Sequence, residues 1–444
     1  MKFIHPILVS SFLLFVGYAN ADETSAPWSL EDCINHALEH NLSIKQQSLN
    51  AEYAGNQYTQ SRYELYPNLN AGSSHRITRG RTTDQVNLRI VDITSNTTNF
   101  YVGSSTPLFE GFARRNTIER NQSDWQAALK DVDRARNDLT LNITALYLQI
   151  LFDKELLEAA KRQYEVIEQQ MQRTRRLVDA GSIPEGNFLE MRSLAAREVL
   201  NITQLENSVA LSLLDLAQAL DLEVVEGFDI QEPVLDELSG AELVERADVL
   251  EYAINNMPQI AASEHRLSSS ELDVEIAKGR MLPTLSFEMG WGTNYVSVKD
   301  FENPSFGSQF RDNANSYVGL NLAIPIFNRF QARTGVENAH LGVKNARFEL
   351  DRQKQQLRKE IQQAYADAEA AFRQYLASQT AVESYQESFR YTEKRFNVGL
   401  LNPVDYNVAK TELMKAESDY IQAKYSYILR LKILEFYQGN PIEL

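Results

Sequence analysis

The chain has 444 residues, 43% of them hydrophobic, and a formal net charge of −16 at neutral pH. This acidic balance disfavours nucleic acid as a partner. The small numbers of prolines (12) and glycines (19) indicate long, uninterrupted elements. The single cysteine, Cys33, excludes an intrachain disulfide, so stability must come from packing or oligomerisation.

Residues 1–21 have the pattern of a secretory signal peptide. Lys2 precedes an apolar run over residues 7–16, and Ala19-Asn20-Ala21 forms a small-x-small cleavage site. We expect the mature protein to begin near Asp22. No later run approaches the roughly 18 apolar residues of a membrane-spanning helix, so a chain that crosses a membrane would do so with strands.

The first part of the mature chain predicts three kinds of element. Residues 29–66 have helical periodicity, with Ser29 as the cap and Pro67 as the stop. Residues 68–106 are rich in Asn, Thr, Ser and Gly and predict a strand pair. Residues 113–180 contain neither proline nor glycine and predict a long helix with an apolar seam.

A turn around Gly181 then leads into a shorter return helix over residues 187–221. After a loop-rich segment, residues 222–245, the same plan starts again. Pro67-Asn68-Leu69 recurs as Pro283-Thr284-Leu285, and Gly181 recurs as Gly399, at displacements of 216 and 218 residues. Repetition in a fixed order indicates a tandem duplication.

The second copy repeats each element. It predicts a helix, a strand pair over 284–325, a long helix over 331–398 and a return helix over 405–438. We therefore divide the mature chain into a first repeat, 22–221, a linker, and a second repeat, 246–444. Each long helix would span on the order of 100 Å. No single globular core is that wide, so the helices must form a strut, a fibre or the wall of a tube.

Along the strands of the second copy, apolar side chains alternate with small or polar ones, so that one face of each strand is apolar. Phe287, Met289 and Trp291 share one face, and Glu288 and Gly290 the other. This alternation is typical of a transmembrane barrel wall, and equally of a strand half buried in a soluble core. Four strands cannot close a barrel. Their edges must pair with other chains, which predicts an oligomer.

Six segments along the chain form a pattern that is weak singly and specific in combination. They are SLEDCINHALEHN (29–41), YPNLNAG (66–72), TPLFEGFARRN (106–116), LPTLSF (282–287), IPIFNRFQAR (324–333) and RFNVGLLNPVDY (395–406). In this order the chain resembles the TolC family of outer-membrane efflux and secretion channels, over essentially its whole mature length. The resemblance implies a mainly α fold with a small β part, in which four strands per protomer complete a twelve-stranded trimeric barrel above a tunnel of coiled-coil helices.

The resemblance also implies that a periplasmic adaptor protein contacts the two helix-breaking turns. Val398, Gly399 and Leu400 match the valine-glycine-leucine turn of relatives, whereas Gly181 and Ser182 mark a first-copy turn that matches only in part. A positive φ at a helix C-terminus accounts for both glycines without any partner. Adaptor contact would be an additional use of these turns.

Asp405 lies where many relatives place an acidic residue that rings the constriction of the tunnel. Three carboxylates around a narrow pore would favour cations and could bind a divalent ion. The alternative, compatible with the first, is that Asp405 is the N-cap of the return helix. Phe396 and Leu401 depart from the tyrosine and arginine that lock the mouth in some relatives, so that network is not carried over.

The segment His36-Ala37-Leu38-Glu39-His40 fits the H-x-x-E-H pattern of inverted zinc peptidases. That chemistry needs a third ligand, and His75, His265 and His340 are scattered. The duplicate segment, residues 252–256, has no histidine at all. The sequence therefore predicts no metal, no cofactor and no catalytic residue.

Together these observations predict the exit duct of a tripartite efflux pump or of a type I secretion system. It would be a homotrimer in outer-membrane lipid with a periplasmic tunnel, joined through an adaptor to an inner-membrane RND or ABC transporter. Conduction would be passive, with no enzyme activity. The alternative is a secreted or periplasmic coiled-coil structural or adhesion protein with no channel. Nothing in the sequence specifies the substrate, whether drug, metal or polypeptide.

Overall fold

A computed structural model describes residues 27–84, 88–223, 227–233 and 246–444. The signal peptide expected at residues 1–21 lies outside the described residues, as does most of the expected linker. Within the described ranges, no helix combines the length and the hydropathy that crossing a bilayer requires.

The elements form the same series twice, as the sequence repeat predicts, with one additional short helix between the strands of the second series. The first series is α1 (Leu30–His40), α2 (Leu42–Tyr63), β1 (Asn70–Asp84), β2 (Arg89–Glu110), α3 (Ala113–Asp179) and α4 (Glu185–Ala219). The second is α5 (Arg246–Asn256), α6 (Pro258–Gly279), β3 (Thr284–Val298), α7 (Phe306–Asp312), β4 (Asn315–Ala323), α8 (Gln331–Asn397) and α9 (Pro403–Tyr437). The predicted mainly α fold with an internal repeat is confirmed.

The prediction of one helix over residues 29–66 is wrong, because Asn41 divides it. Asn41 has extended backbone (φ −60, ψ 127), and its side-chain oxygen accepts hydrogen bonds from the amides of Ser43 and Ile44, so it is the N-cap of α2. In the second copy Met257 is extended and Pro258 begins α6. The break therefore recurs at the same place in both repeats. Ser29 caps α1 through a capping box with Asp32, as expected for the start.

The long helices α3 and α8 have 67 residues each, which corresponds to about 100 Å. Each starts directly after a phenylalanine in left-handed backbone conformation, Phe112 and Phe330, both with φ 63. A bulky residue rarely adopts a positive φ. The two copies thus use the same unusual joint between strand and helix.

Each long helix is antiparallel to its return helix, so that α3 pairs with α4 and α8 with α9. We call these the first and the second hairpin. The α2 helix packs on α3, and α6 packs on both α3 and α8. The largest core lies where α1, α3, α4 and α9 meet, and Cys33, Ile143, Ile150 and Leu216 are fully buried there.

The four strands form one antiparallel sheet in the order β1-β2-β3-β4. The middle pair, β2 and β3, joins the two repeats. Among the described residues, β1 and β4 each pair on one side only. On β4, Val318 and Leu320 lie on the apolar face that the alternation predicts. They pair with Met289 and Phe287 of β3, respectively.

The sequence does not predict the short helix α7 between β3 and β4. It covers the sheet: the ring of Phe310 lies 5.6 Å from Phe100 and 6.0 Å from Trp291. The side chain of Gln309 bonds both the amide (3.0 Å) and the carbonyl (2.9 Å) of Val296. A single seven-residue helix is too short to show a periodic pattern in the sequence.

Candidate functional site: the hairpin tips

The tip of the first hairpin is built by a glycine that ends α3. Gly181 has φ 71, its amide donates to the carbonyl of Val178 (2.8 Å), and the amide of Ser182 donates to the carbonyl of Leu177 (2.9 Å). These two hydrogen bonds define a Schellman motif. The left-handed conformation is the reason for glycine at this position.

The tip of the second hairpin has the same backbone. Gly399 has φ 77, its amide donates to Phe396 (3.0 Å), and the amide of Leu400 donates to Arg395 (2.9 Å). A Cβ on Gly399 or on Gly181 would meet no atom within 4 Å. A larger side chain there would be strained by φ and would project into open space, without an internal clash.

The surfaces of the two tips differ although their backbones agree. The second tip exposes apolar side chains, with 70% of Val398 and 71% of Leu400 accessible. Val404 and Val408 continue this apolar surface along α9. At the first tip the corresponding exposed residue is the polar Ser182. All five residues predicted for adaptor contact therefore lie at hairpin ends, but only the second tip is apolar.

A contact that the sequence does not predict joins the two tips. Arg173 of α3 donates from Nη1 to the side-chain oxygen of Asn397 (2.6 Å) and from Nη2 to its carbonyl oxygen (3.2 Å). A groove runs between the tips, lined from both hairpins by Leu177, Ile183, Pro184, Asn187, Leu400, Leu401 and Asn402. The two predicted turns thus form one surface.

Asp405 lies in the first turn of α9, but it is not the N-cap. The cap is Asn402, whose Oδ1 accepts from the amide of Asp405 (2.8 Å) and whose Nδ2 donates to the Asp405 carboxylate (2.9 Å). The alternative in which Asp405 caps the helix is therefore wrong. Its carboxylate is exposed in the first turn of α9, next to the positive end of the helix dipole.

An aromatic cluster lies directly behind the second tip. The ring of Tyr406 stacks on Phe396 at 4.5 Å and lies 5.4 Å from Phe389. Leu401 and Leu413 pack on the same cluster. Burial raises the pKa of Tyr406 to about 12, so the phenol stays neutral. Phe396 and Leu401, which depart from the lock of some relatives, thus stabilise their own hairpin.

The histidines of the zinc-like pattern stack on each other. The rings of His36 and His40 lie 4.2 Å apart, and His36 also packs edge-on against Trp28 at 5.0 Å. Burial, followed by the nearby His40, lowers the pKa of His36. In the part of the chain that the structure describes, no three His, Cys, Asp or Glu side chains are grouped to hold a metal.

Long paired helices below a small sheet, with the chain reversing at two glycine tips, define the protomer of an outer-membrane channel. Residues 33–221 and 249–440 match the family model described as outer membrane efflux protein. The chain belongs to this family. It is an efflux or secretion channel of the outer membrane, so the channel interpretation is confirmed over the structural or adhesive alternative.

Similar proteins cover nearly the whole chain. Protein CyaE of Bordetella pertussis is 24% identical over 410 residues, which cover 90% of this chain and 80% of CyaE. Outer membrane protein TolC of Vibrio cholerae is 24% identical over 427 residues, which cover 94% of this chain and 92% of that protein. The crystal structure of VceC from Vibrio cholerae superposes with a TM-score of 0.74 at 16% identity, covering 93% and 97% of the two chains. The fold is therefore shared.

Proposed function

We propose that three copies of this chain assemble into the exit duct of a tripartite efflux pump or a type I secretion system. The duct would receive substrates from a periplasmic adaptor and an inner-membrane RND or ABC transporter, and conduct them passively, without a catalytic step. The four-stranded sheet carries this proposal: among the described residues its two edge strands each pair on one side only, and its apolar face is exposed along β4.

The open edges of the sheet are the reason to expect pairing with other copies of the chain. Unpaired backbone groups on β1 and β4 are ready to pair with another chain. A sheet in a bilayer must close, because lipid cannot satisfy backbone hydrogen bonds. Three four-stranded sheets would supply twelve strands, enough to enclose a channel. The exposed Val318 and Leu320 would then face lipid.

The first hairpin carries a second interaction surface. Leu189, Leu200 and Leu211 of α4 are all exposed and recur at intervals of 11 residues, so they lie on one face of the helix. Apolar stripes of this kind mark contacts with another protein surface. We assign this stripe to the neighbouring subunit in the tunnel wall.

The tips would form the periplasmic end of the duct. Gly181, Ser182, Val398, Gly399 and Leu400 are exposed at the hairpin ends, where an adaptor can reach them. Three symmetry-related Asp405 carboxylates would form an aperture ring that favours cations. In this arrangement each repeat, 22–221 and 246–444, supplies one strand pair and one hairpin, and the signal peptide 1–21 is removed.

The trimer is tested on the full protein purified in detergent. We expect a mass three times that of the mature chain, and cation-selective conductance after reconstitution into planar bilayers. A β4 variant, Leu320→Lys, places a charge on the proposed lipid face, and Asn321→Lys, on the opposite face of the same strand, is its matched control. Extraction without detergent as a monodisperse monomer would refute the proposal.

A further inference from the structure

A lysine is buried between the two hairpins, one helical turn from the aromatic cluster. Lys410 of α9 is only 3% exposed, and its Nζ lies 4.8 Å from the centre of the Phe389 ring. No carboxylate of the described chain lies within 4.0 Å of it. The ring gives partial compensation, but a buried ammonium without a close counterion remains unfavourable.

Three carboxylates face Lys410 from the helices packed around it. They are Glu198 of α4, Glu393 of α8 and Glu417 of α9 itself. Tyr406 is the neighbouring titratable group one turn away and is neutral. Glu198 is itself only 4% exposed and accepts a hydrogen bond from Asn201 at 3.0 Å. The charges therefore come from both hairpins.

The packing here is incomplete. A cavity of about 80 Å³ between α3, α4 and α9 is lined by Gln163, Glu198, Asn201, Met414, Glu417 and Ser418, among others. Gln163 of α3 is 8% exposed, and its Nε2 has no hydrogen-bond partner in the described chain. Such an unsatisfied buried donor weakens the contact that buries it. We call this region of α3, α4 and α9 the polar seam.

We propose that the polar seam is a proton-linked joint, in which parting of the first hairpin from α9 carries Lys410 into water and is coupled to proton binding. In the exit duct proposed above, parting of the hairpins would widen the periplasmic end, and only this consequence rests on the proposed function. The geometry supports the joint: a buried charge, a cavity and an unsatisfied amide all lie on one interface between the two hairpins.

The direction of the pH effect follows from burial. Burial lowers the pKa of Lys410 from 10.5 to about 8, against the opposing influence of Glu417, Glu393 and Glu198. Below pH 8 the ammonium is charged in both states, and parting relieves its burial. As pH rises from 8 towards 10.5, the closed seam holds a neutral amine, whereas the parted state still binds a proton. Closure is therefore favoured as pH rises, by at most about 300-fold in the ratio of parted to closed seam.

The test measures the distance across the seam. Spin labels at Gln204→Cys on α4 and Glu412→Cys on α9 occupy exposed positions, and Cys33 is fully buried and stays unlabelled. The distance between the labels is measured by pulsed electron paramagnetic resonance on the full protein in nanodiscs, from pH 6.5 to 10.5. The population with the longer distance, which represents the parted seam, should fall as pH rises through about 8. An unchanged distribution over this range would overturn the proposal.

Variants assign the effect to Lys410. Lys410→Met removes the charge at similar volume and should give the short distance at every pH. Lys410→Arg stays charged throughout and should give the long distance at every pH. Lys415→Met, at an exposed position of α9, is the matched control and should keep the pH transition. A transition that persists in Lys410→Met would refute the joint. Since no readout involves conductance, failure of the joint and failure of the duct are separable.

Discussion

The two hairpin tips have the same backbone and different surfaces. Both end a long helix with a Schellman glycine, yet the second tip exposes valine and leucine where the first exposes serine. The second also has a side-chain N-cap, Asn402, where the first has Pro184 with no such cap. The turn requires only the glycine conformation, so after duplication the surrounding side chains were free to diverge. We infer that the second tip carries the more specialised role.

The largest expected effect is on the packing behind the tips. Tyr406→Ala should cost about 3–5 kcal/mol, because a fully buried ring is removed from the second hairpin. The equivalent first-copy residue, Phe188, is half-buried and contacts Arg175, so Phe188→Ala should cost about 1 kcal/mol. Hydrogen exchange of the α8–α9 and α3–α4 amides measures both. Equal losses would mean that the two tips are packed alike.

The second-largest expected effect is a loss of export when the glycine of a tip is replaced. Two variants distinguish the effect of side-chain bulk from that of backbone strain. Gly399→Trp should reduce export about 10-fold or more, which corresponds to about 1.4 kcal/mol of lost adaptor contact. Gly399→Ala imposes the same positive-φ strain without the bulk and should retain most export. Gly181→Trp tests the first tip, where we expect a smaller loss. Drug susceptibility or secretion assays measure these losses, with assembly checked on gels. Full export by assembled Gly399→Trp trimers would exclude adaptor contact at this turn.

A smaller effect concerns the link between the tips. Arg173→Ala removes two hydrogen bonds to Asn397 at an exposed position and should weaken the contact by about 1 kcal/mol. Spin labels at Ser182→Cys and Leu400→Cys should then report a broader distance distribution. Arg176→Ala, at an exposed position of the same helix, is the control. If the distribution keeps its width in Arg173→Ala, the link does not hold the tips together.

The smallest effect is on selectivity. Asp405→Asn should lower the cation over anion permeability ratio roughly 2-fold, because the proposed ring of three carboxylates would lose its charge. Asn187→Asp places a carboxylate at the equivalent position of the first copy and should raise the ratio. Single-channel reversal potentials in a salt gradient measure both changes. An unaltered ratio in Asp405→Asn would remove this residue from the aperture.

Elements whose limits depend on local chemistry were predictable from the sequence. The absence of proline and glycine gave the extent of α3, and Gly181 and Gly399 gave the turns, because a helix C-terminus needs a residue that tolerates positive φ. Asn41 was missed because asparagine is tolerated inside a helical pattern, and only the structure shows that its side chain caps a new helix.

Contacts between distant residues were not predictable in this way. Arg173 and Asn397 are 224 positions apart, and no local pattern pairs them. Lys410 directly follows Ala409, which packs on the aromatic cluster, and a lysine at such a position is expected to face water. Its burial depends on how the first hairpin packs across α9, which is a property of the tertiary structure alone.

The unpaired edges of β1 and β4 have a consequence for cells that make two versions of this protein. A closed ring tolerates no faulty member, since every subunit must accept a neighbour on either side. In the three-membered ring proposed above, equal amounts of intact subunits and subunits defective at one edge would leave only about one ring in eight wholly intact. Such alleles would therefore be dominant over the normal gene.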